Sequence, residues 1–391
     1  MKLEKFIYNI LQSPKKSFLI YLITFVLFIL SIATFPTQII KAKMLPSKDS
    51  DTFSIYVDLK DGSSINQTKE VTSCIASNLQ KNENIKNISV FLKEGQPLDF
   101  AALVKQSALK DKESQAEMMV NIKRFEDREI TSYNLISQLR SEVQKNCSSY
   151  DANIKFIELP AGPPVLASIV TEIYGGNSFE NRRDFALKIA QILKNQATLV
   201  DIDILADDDF IVYELELDNN KVIISNADLE QIKNTLFLAF EGIKVSVINQ
   251  KNAQNEIPIF LRLDDSRLLK NSSKDDLKVK LQNLKVINNL GNMVSISEFV
   301  TIKESLKEPT ITSKNLNMMI NVIAETNKNS QIYPLLNSRD EMIKSLSTDY
   351  EITKTDMLNL SFIDKKTEEK FDLVFDGELK VTIDTFIDLG G

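Results

Sequence analysis

The chain has 391 residues, a formal net charge of −7, and a composition that is 43% hydrophobic and 26% charged. This length predicts two or three domains, and the acidic balance argues against a nucleic-acid partner, which requires a basic surface. The sequence contains no histidine, which excludes histidine-based metal sites and the commonest general base.

The first predicted element is an apolar run at residues 17–35 that contains no charged residue. At about 1.5 Å of rise per residue, such a helix just crosses a hydrocarbon core of about 30 Å. A cleaved signal peptide is the alternative, but its apolar segment is usually only about 7–15 residues long. We therefore predict a retained membrane anchor. The slight excess of lysines before it favours a cytoplasmic N-terminus.

Residues 1–16 precede this anchor and predict a short amphipathic helix on the cytoplasmic membrane surface. Five apolar residues recur there at helical spacing: Leu3, Phe6, Ile7, Ile10 and Leu11. Because they share one face, a helix is favoured over a disordered tail.

Residues 50–160 predict the order β-α-β-β-α-β, which is the ferredoxin-like split unit. Alternating or apolar runs place its strands at residues 52–59, 88–92, 117–125 and 154–159. Ser64 and Gln67 form a capping box before the first helix. Residues 96–113 form a partly helical insert between the second and third strands.

Residues 161–205 and 306–378 predict the same unit a second time. After the interruption, residues 310–325 predict one long strand, and Ser338 and Glu341 predict the start of a helix. One α/β sandwich is therefore expected to be threaded through the middle of another.

The interrupting segment, residues 206–305, predicts a third β-α-β-β-α-β series that ends in a strand at residues 294–302. Asp207, Asp208 and Asp209 at its start could coordinate calcium, but they lack the ligand spacing of an EF-hand loop. A solvated connection is the favoured interpretation.

At the other end, residues 379–391 carry apolar side chains at helical spacing. We expect the start of a truncated helix that leads into a further membrane span. A short amphipathic helix lying on the body is the alternative.

No established catalytic motif occurs at a supporting position, so we predict no enzymatic activity, no metal and no cofactor. Glu117 and the charged residues at 123–129 are typical of an exposed, salt-bridged face. Cys74 and Cys147 could form a disulfide in an oxidising compartment, but two buried free thiols are the favoured interpretation.

This architecture and several stretches within it resemble the resistance-nodulation-division (RND) efflux permeases, pumps of the AcrB and heavy-metal type. The matching stretches are residues 43–46 (KMLP), 57–62 (VDLKDG), 116–128 (AEMMVNIKRFEDR), 159–165 (LPAGPPV) with 173–175, and 375–389 (FDGELKVTIDTFIDL). Each half of such a pump is a span, a periplasmic loop and five more spans. The KMLP start looks more like the second, C-terminal half.

The resemblance implies a domain plan and a set of partners. Residues 50–160 would be the first porter subdomain, 161–205 with 306–378 the second, and 206–305 a docking subdomain. Family members are trimers that work with a periplasmic adaptor and an outer-membrane channel, and this chain would also need the other permease half. Substrate would pass through the cleft between the porter subdomains. Its lining residues are assigned from apolar character alone: Phe91, Phe100, Met118 and Phe156.

Two departures from the family pattern limit what the chain is expected to do. The family's proton relay consists of buried charges on later spans that this sequence lacks, so the chain alone should not pump. Metal-exporting members use methionines near the porter cleft, and residues 160–165 contain none, which argues against copper or silver.

We therefore expect an α+β protein with one N-terminal transmembrane helix, two ferredoxin-like porter subdomains and an inserted α+β docking subdomain. Its expected role is the periplasmic porter portion of a proton-driven multidrug or solute efflux transporter in the bacterial inner membrane. One alternative is a membrane-anchored periplasmic binding or adaptor module, although no sustained heptads occur. The other is a secreted soluble enzyme, which lacks a catalytic constellation.

Overall fold

A computed structural model describes residues 8, 12–34, 37, 39, 48–159, 162, 165–251, 256–263, 273–327, 330, 332–356 and 358–390. The chain divides into two compact units, Met1–Asp208 with Pro309–Gly391, and Asp209–Glu308. The first unit contains an apolar helix and two α/β sandwiches. The second is a smaller α+β lobe.

The apolar helix α1, Pro14–Ala33, is 20 residues long and has a mean hydropathy of 2.2. At about 1.5 Å per residue its length of about 30 Å matches the core of a bilayer. None of its side chains is buried against the rest of the chain. These properties confirm the predicted apolar helix, whereas the amphipathic helix predicted before it lies almost wholly outside the described residues.

The first sandwich contains four strands, two long helices and one short helix. They are β1 (Thr52–Asp58), α2 (Ile65–Leu79), β2 (Ile85–Leu92), α3 (Phe100–Val104), β3 (Gln115–Ile122), α4 (Ser132–Asn146) and β4 (Asn153–Ile157). All neighbouring strands are antiparallel, in the order β2-β3-β1-β4. This order confirms the predicted ferredoxin-like unit.

The core of the first sandwich forms where the predicted apolar faces meet. Alternate residues of β1, namely Phe53, Ile55 and Val57, lie on the side of the sheet that α2 and α4 cover. The backbone N–H of Ser64 donates to Gln67 Oε1 at 2.8 Å and completes the predicted capping box. The buried positions of the two helices include Val71, Ile75, Leu79, Leu135, Leu139 and Val143.

Cys74 on α2 and Cys147 at the end of α4 form a disulfide, with their Cα atoms 6.2 Å apart. The favoured interpretation of two free thiols is therefore wrong. The cause is the packing of α2 beside α4 on the same face of the sheet, which brings together residues 73 positions apart in sequence.

The second sandwich is divided by the lobe. Before the lobe come β5 (Ile169–Gly175), α5 (Phe179–Lys194) and β6 (Leu199–Leu205). After it come β13 (Thr312–Lys314), β14 (Asn317–Thr326), α9 (Ile332–Leu346), β15 (Tyr350–Lys354), β16 (Leu360–Asp364), β17 (Lys370–Asp376) and α10 (Glu378–Gly390).

The sheet of the second sandwich repeats the plan of the first. Strand β14 lies between β6 and β5, and β17 follows β5, so the central order β6-β14-β5-β17 corresponds to β2-β3-β1-β4. The hairpin β15–β16 extends this sheet beyond β17. In both sandwiches the insertion occurs between the second and third strands of the unit: a 22-residue segment in the first, and the lobe in the second.

Two predictions for the second sandwich are wrong. Residues 310–325 do not form one strand, because Asn315 and Leu316 adopt positive φ angles of 52° and 64° and turn the chain into a hairpin. Helix α9 begins at Ile332, and Ser338 lies inside it, where its hydroxyl donates to the carbonyl of Pro334 at 2.7 Å. This local bond replaces the predicted cap.

The lobe contains six short strands and three helices in its described part. They are β7 (Ile211–Leu217), α6 (Asn219–Ile224), α7 (Leu229–Phe240), β8 (Ile243–Ile248), β9 (Ile257–Leu261), α8 (Lys274–Asn283), β10 (Lys285–Ile287), β11 (Met293–Ser295) and β12 (Val300–Leu306). The strands pair as β7–β12, β8–β9 and β10–β11. The predicted β-α-β-β-α-β sheet is therefore not formed among these strands.

The predicted strand at 294–302 is broken by a 3-10 turn, Ile296–Glu298. The hydroxyl of Ser295 accepts the backbone N–H of Ser297 at 3.3 Å and caps this turn. Ile296 and Phe299, three positions apart, are then both buried in the core of the lobe. An alternating strand would place them on opposite faces.

The disulfide predicts a measurable contribution to stability. Replacing both Cys74 and Cys147 by serine removes a covalent closure of 73 residues, which stabilises a fold by about 4 kcal/mol in the chain-entropy account. We expect a clear drop in the midpoint of thermal unfolding of the full chain in detergent. Two reactive thiols in the denatured, unreduced wild-type chain would contradict the assignment.

Candidate functional site

The insert of the first sandwich, residues 93–114, crosses the face of the sheet that α2 and α4 leave uncovered; we call it the strap. The backbone has positive φ at Lys93 (64°) and Gln106 (65°), which turns the chain at both places. A Cβ at Gly95 would lie 2.2 Å from the carbonyl oxygen of Ser107. Only glycine permits this close approach between two parts of the strap.

The strap is held to the sheet by buried polar contacts. Glu117 on β3 is fully buried, and its Oε2 accepts from the Gln96 backbone N–H at 2.9 Å and from the Ser107 hydroxyl at 3.0 Å. Tyr56 on β1 shares a 2.8 Å hydrogen bond with the same Ser107 hydroxyl, and Ser54 donates to the Gln96 amide oxygen at 2.7 Å. Glu117 is therefore an anchor of the strap, and its predicted place on an exposed charged face is wrong.

Most of the large apolar side chains of the strap lie on its outer side. Four of them are between 55% and 71% exposed: Leu98, Phe100, Leu103 and Leu109. In an ordinary surface segment the apolar side faces the protein and the polar side faces water. The strap has the reverse arrangement for its large apolar side chains, and such exposed apolar surface is typical of a contact site.

A cavity of about 120 Å³ lies between the strap and the sheet. It is smaller than the roughly 300–1,000 Å³ of sites that enclose drug-sized ligands. Its lining combines polar and apolar residues, including Ser54, Tyr56, Gln96, Asp99, Lys105 and Asn121. In this conformation the cavity has room for a few waters or one small group.

The four residues proposed from sequence to line a substrate path are not brought together. Met118 and Phe156 are buried in the core of the first sandwich, where Phe156 stacks on Phe53 with ring centres 6.1 Å apart. Phe91 is half-buried on β2, paired in register with Glu117, and Phe100 lies on the outer side of the strap. Substrate contact by these residues stays a prediction.

The two sandwiches meet through a set of ion pairs in which the positive and negative partners are divided between the sandwiches. We call this set the junction. In each of the four pairs between described residues, the cation comes from the first sandwich and the carboxylate from the second. The pairs are Lys105–Glu325 at 2.9 Å, Lys112–Asp207 at 2.6 Å, Arg140–Asp201 at 3.2 Å, and Lys155–Asp203. Arg140 and Lys155 are buried and the other six side chains are half-buried, so removal of one partner leaves an unpaired charge that is at least partly shielded from water. Asp207 is accordingly paired, and the predicted solvated role of this residue is wrong.

Asp201 joins the edges of the two sheets. Its backbone is left-handed, with φ of 53°, and its carboxylate accepts the backbone N–H of Phe156 on edge strand β4 at 3.0 Å. Burial raises the pKa of Asp201, and neither the guanidinium of Arg140 nor the Phe156 N–H fully offsets this effect. A side chain thus replaces a backbone ladder between β4 and β6, and the sheets stay separate.

A second group of charges runs across the face of the first sheet beneath the strap. Asp58 on β1 lies 2.7 Å from the ammonium of Lys155 and 3.3 Å from that of Lys110 on the strap. Burial alone would raise the pKa of Asp58, but these two lysines hold it at about 2. Lys110 also lies 3.9 Å from Glu117 and 4.5 Å from the centre of the Tyr56 ring.

Among the described residues, no group of three or more cysteine, aspartate and glutamate side chains is arranged to hold a metal ion. The chemistry present is therefore that of ion pairs and apolar contact.

The model of the AcrB/AcrD/AcrF family matches residues 2–361. The chain belongs to this family. It is accordingly a member of the RND permease family of membrane transporters, and the resemblance noted in its sequence is confirmed. No characterised protein matched the chain in a comparison of sequences alone.

Two solved structures share the fold, and each is described as a heavy metal efflux pump. Crystal form I superposes with a TM-score of 0.65 at 15% identity over 99% of this chain, and crystal form II with 0.64 at 13% over 97%. The chain described here spans only 37% and 35% of the length of those two chains. At this identity the likeness shows the fold alone.

The low pKa of Asp58 predicts an acid-sensitive contribution to stability. A carboxyl whose folded pKa is about 2, against 3.8 ordinarily, stabilises the fold above pH 4 and loses that effect as the pH falls toward 2. The shift corresponds to about 2 kcal/mol. Thermal unfolding between pH 2 and 6 should show the wild-type chain more stable than Asp58→Asn at pH 5, with the gap closing toward pH 2. A gap that is constant with pH would contradict this assignment.

Proposed function

We propose that the chain is the periplasmic porter portion of a proton-driven RND-type efflux transporter. The observation that carries this proposal is the pair of sandwiches with one topology, the second divided by an inserted lobe, whose sheets share no backbone ladder in the described part. Two bodies joined in this way can separate and close without breaking a backbone ladder. A solute can pass between them when they do.

We propose that helix α1 lies in the bacterial inner membrane and that the two sandwiches and the lobe lie in the periplasm. The helix has the length and hydropathy of a span, and a disulfide between Cys74 and Cys147 persists in an oxidising compartment such as the periplasm. The lobe, Asp209–Glu308, is the proposed docking subdomain. The proton relay, and with it the driving force, would belong to spans outside this chain.

The exposed apolar side of the strap is the proposed contact for the exported compound. Phe100 and Leu103 supply aromatic and aliphatic surface there. Phe91 on β2 lies on the face of the first sheet that the strap crosses. This surface offers no sulfur or imidazole donor, so an apolar organic solute fits it better than a metal ion. A large apolar cation suits both this surface and the acidic chain.

We further propose that the chain works with a complementary permease half, a periplasmic adaptor and an outer-membrane channel. Affinity purification of the tagged full chain from native membranes tests this assembly. Recovery of those three classes of protein supports the porter role. Recovery of the tagged chain without any of them would favour a binding module with no transport activity.

The strap proposal predicts a specific loss of binding. Replacing Phe100 by alanine should weaken binding of rhodamine 6G, a planar apolar cation, by about tenfold, because an aromatic contact is lost. Fluorescence polarisation with the full chain in detergent measures this change.

The matched control for this measurement is Phe125→Ala. Phe125 is 62% exposed and Phe100 is 69% exposed, but Phe125 lies in a 3-10 turn outside the strap. Equal affinities for wild type and the Phe100 variant, or equal losses in both variants, would exclude the strap as the contact surface.

A further inference from the structure

Asp58 stands at the centre of a line of alternating charges that joins the strap to the second sandwich. Lys155 contacts both Asp58 and Asp203 on β6, and Lys110 of the strap contacts both Asp58 and Glu117. The line is therefore Asp203, Lys155, Asp58, Lys110 and Glu117. All five side chains are at least about three-quarters buried.

Each charge in this line is balanced by its neighbours rather than by water. When the two sandwiches separate, Asp203 leaves Lys155, and the negative potential that holds Lys110 decreases. Lys155 then has Asp58 as its one remaining carboxylate partner in this line. The positive charge of Lys155 therefore cancels more of the attraction that Asp58 exerts on Lys110. In a low-dielectric setting such changes reach across several ångströms.

The strap end of the line is the weaker end. Burial lowers the pKa of Lys110, and the positive charge of Lys155 adds to this effect, although Asp58 and Glu117 oppose it. Burial acts on Lys155 as well, yet Asp58 and Asp203 hold the pKa of Lys155 above its ordinary value. Loss of one carboxylate from the line therefore releases Lys110 before Lys155.

We propose that Asp58 couples the attachment of the strap to the closure of the junction, so that separation of the sandwiches loosens the strap. The strap covers the cavity and carries Phe100, so this coupling would open the cavity and free Phe100 to move when the cleft opens. The meaning of the coupling for export rests on the proposed function. The coupling itself is a property of the chain, and its test measures no transport.

The chain supplies a matched pair of variants for this test. Asp203→Asn breaks the junction within the charge line. Asp201→Asn breaks a neighbouring junction pair that holds Arg140, on helix α4 rather than on the strap. Both replacements are isosteric and remove one carboxylate from β6, and each carboxylate is at least about four-fifths buried. A difference between their effects on the strap therefore reports the line and not the junction as a whole.

Hydrogen–deuterium exchange of the full chain in detergent, followed by mass spectrometry of strap peptides, gives the readout. The backbone N–H of Gln96 is bonded to Glu117, so its exchange reports whether the strap is attached. We expect Asp203→Asn to speed exchange of the strap at least about threefold relative to α2, as expected for a local opening. Asp201→Asn should leave that ratio unchanged. In an Asp58→Asn background, Asp203→Asn should have no further effect.

Three results would overturn the proposal: no change of the strap in Asp203→Asn, an equal change in both variants, or an undiminished effect of Asp203→Asn when Asp58 is already asparagine. Exchange of α2 amides shows whether a variant is globally destabilised. If Asp203→Asn raises that exchange too, Asp203→Glu, which keeps the charge at a longer reach, must then raise strap exchange less than Asp203→Asn. A rise at least as large would equally refute the coupling.

Discussion

The division of charge between the two sandwiches is the constraint on which the first unit depends. In the described ion pairs between them, cations lie on the first sandwich and carboxylates on the second, and each side chain is buried or half-buried. Such an interface has little net stability to spare, because desolvation offsets much of the attraction between the ions. It is nevertheless specific, since a wrong pairing would leave a buried charge without a partner. An interface that is specific but weakly favourable suits bodies that separate repeatedly.

The strap is also positioned by contacts with buried polar and charged groups. Its inner side is polar because it lies on Glu117, Tyr56 and Asp58, which face away from the core of the sheet. Its large apolar residues Leu98, Phe100, Leu103 and Leu109 remain on the outside. The sheet therefore has two covers of different kinds: two helices fixed by apolar packing and a disulfide, and a strap fixed largely by polar contacts.

The sequence was sufficient for features that depend on local pattern. Alternation at residues 52–59 and the helical spacing of Val71, Ile75 and Leu79 predicted the first sandwich, and the apolar run predicted α1. Features that depend on what covers a face were not predictable in this way. Glu117 has the spacing of a solvent-facing strand residue, and nothing within its own strand shows that a segment ending three residues earlier folds back over it.

The other wrong predictions in the first unit have similar causes. Asn315 and Leu316 form a turn inside a run of strand-forming residues, and leucine is not a residue that signals a positive φ. The pairing of Cys74 with Cys147 follows from helix packing rather than from spacing. Asp201 and Asp203 have strand-like neighbours and no motif, so only the position of β6 beside β4 shows that they join two sheets.

Both sandwiches contain an insertion in the same connection, the one between the second and third strands of the unit. In the second sandwich the ends of that insertion are held together by the β6–β14 ladder and by the bond from the Thr310 backbone N–H to Asp207, 2.8 Å long. Because the entropy of loop closure grows only with the logarithm of length, an insert of 100 residues costs about 1 kcal/mol more than one of about 22. Because the ends of the insertion are held together in this way, the strand pairing of the sheet does not depend on which segment is inserted there. A lobe with its own hydrophobic core can therefore be gained, lost or exchanged there while the strand pairing on either side stays the same.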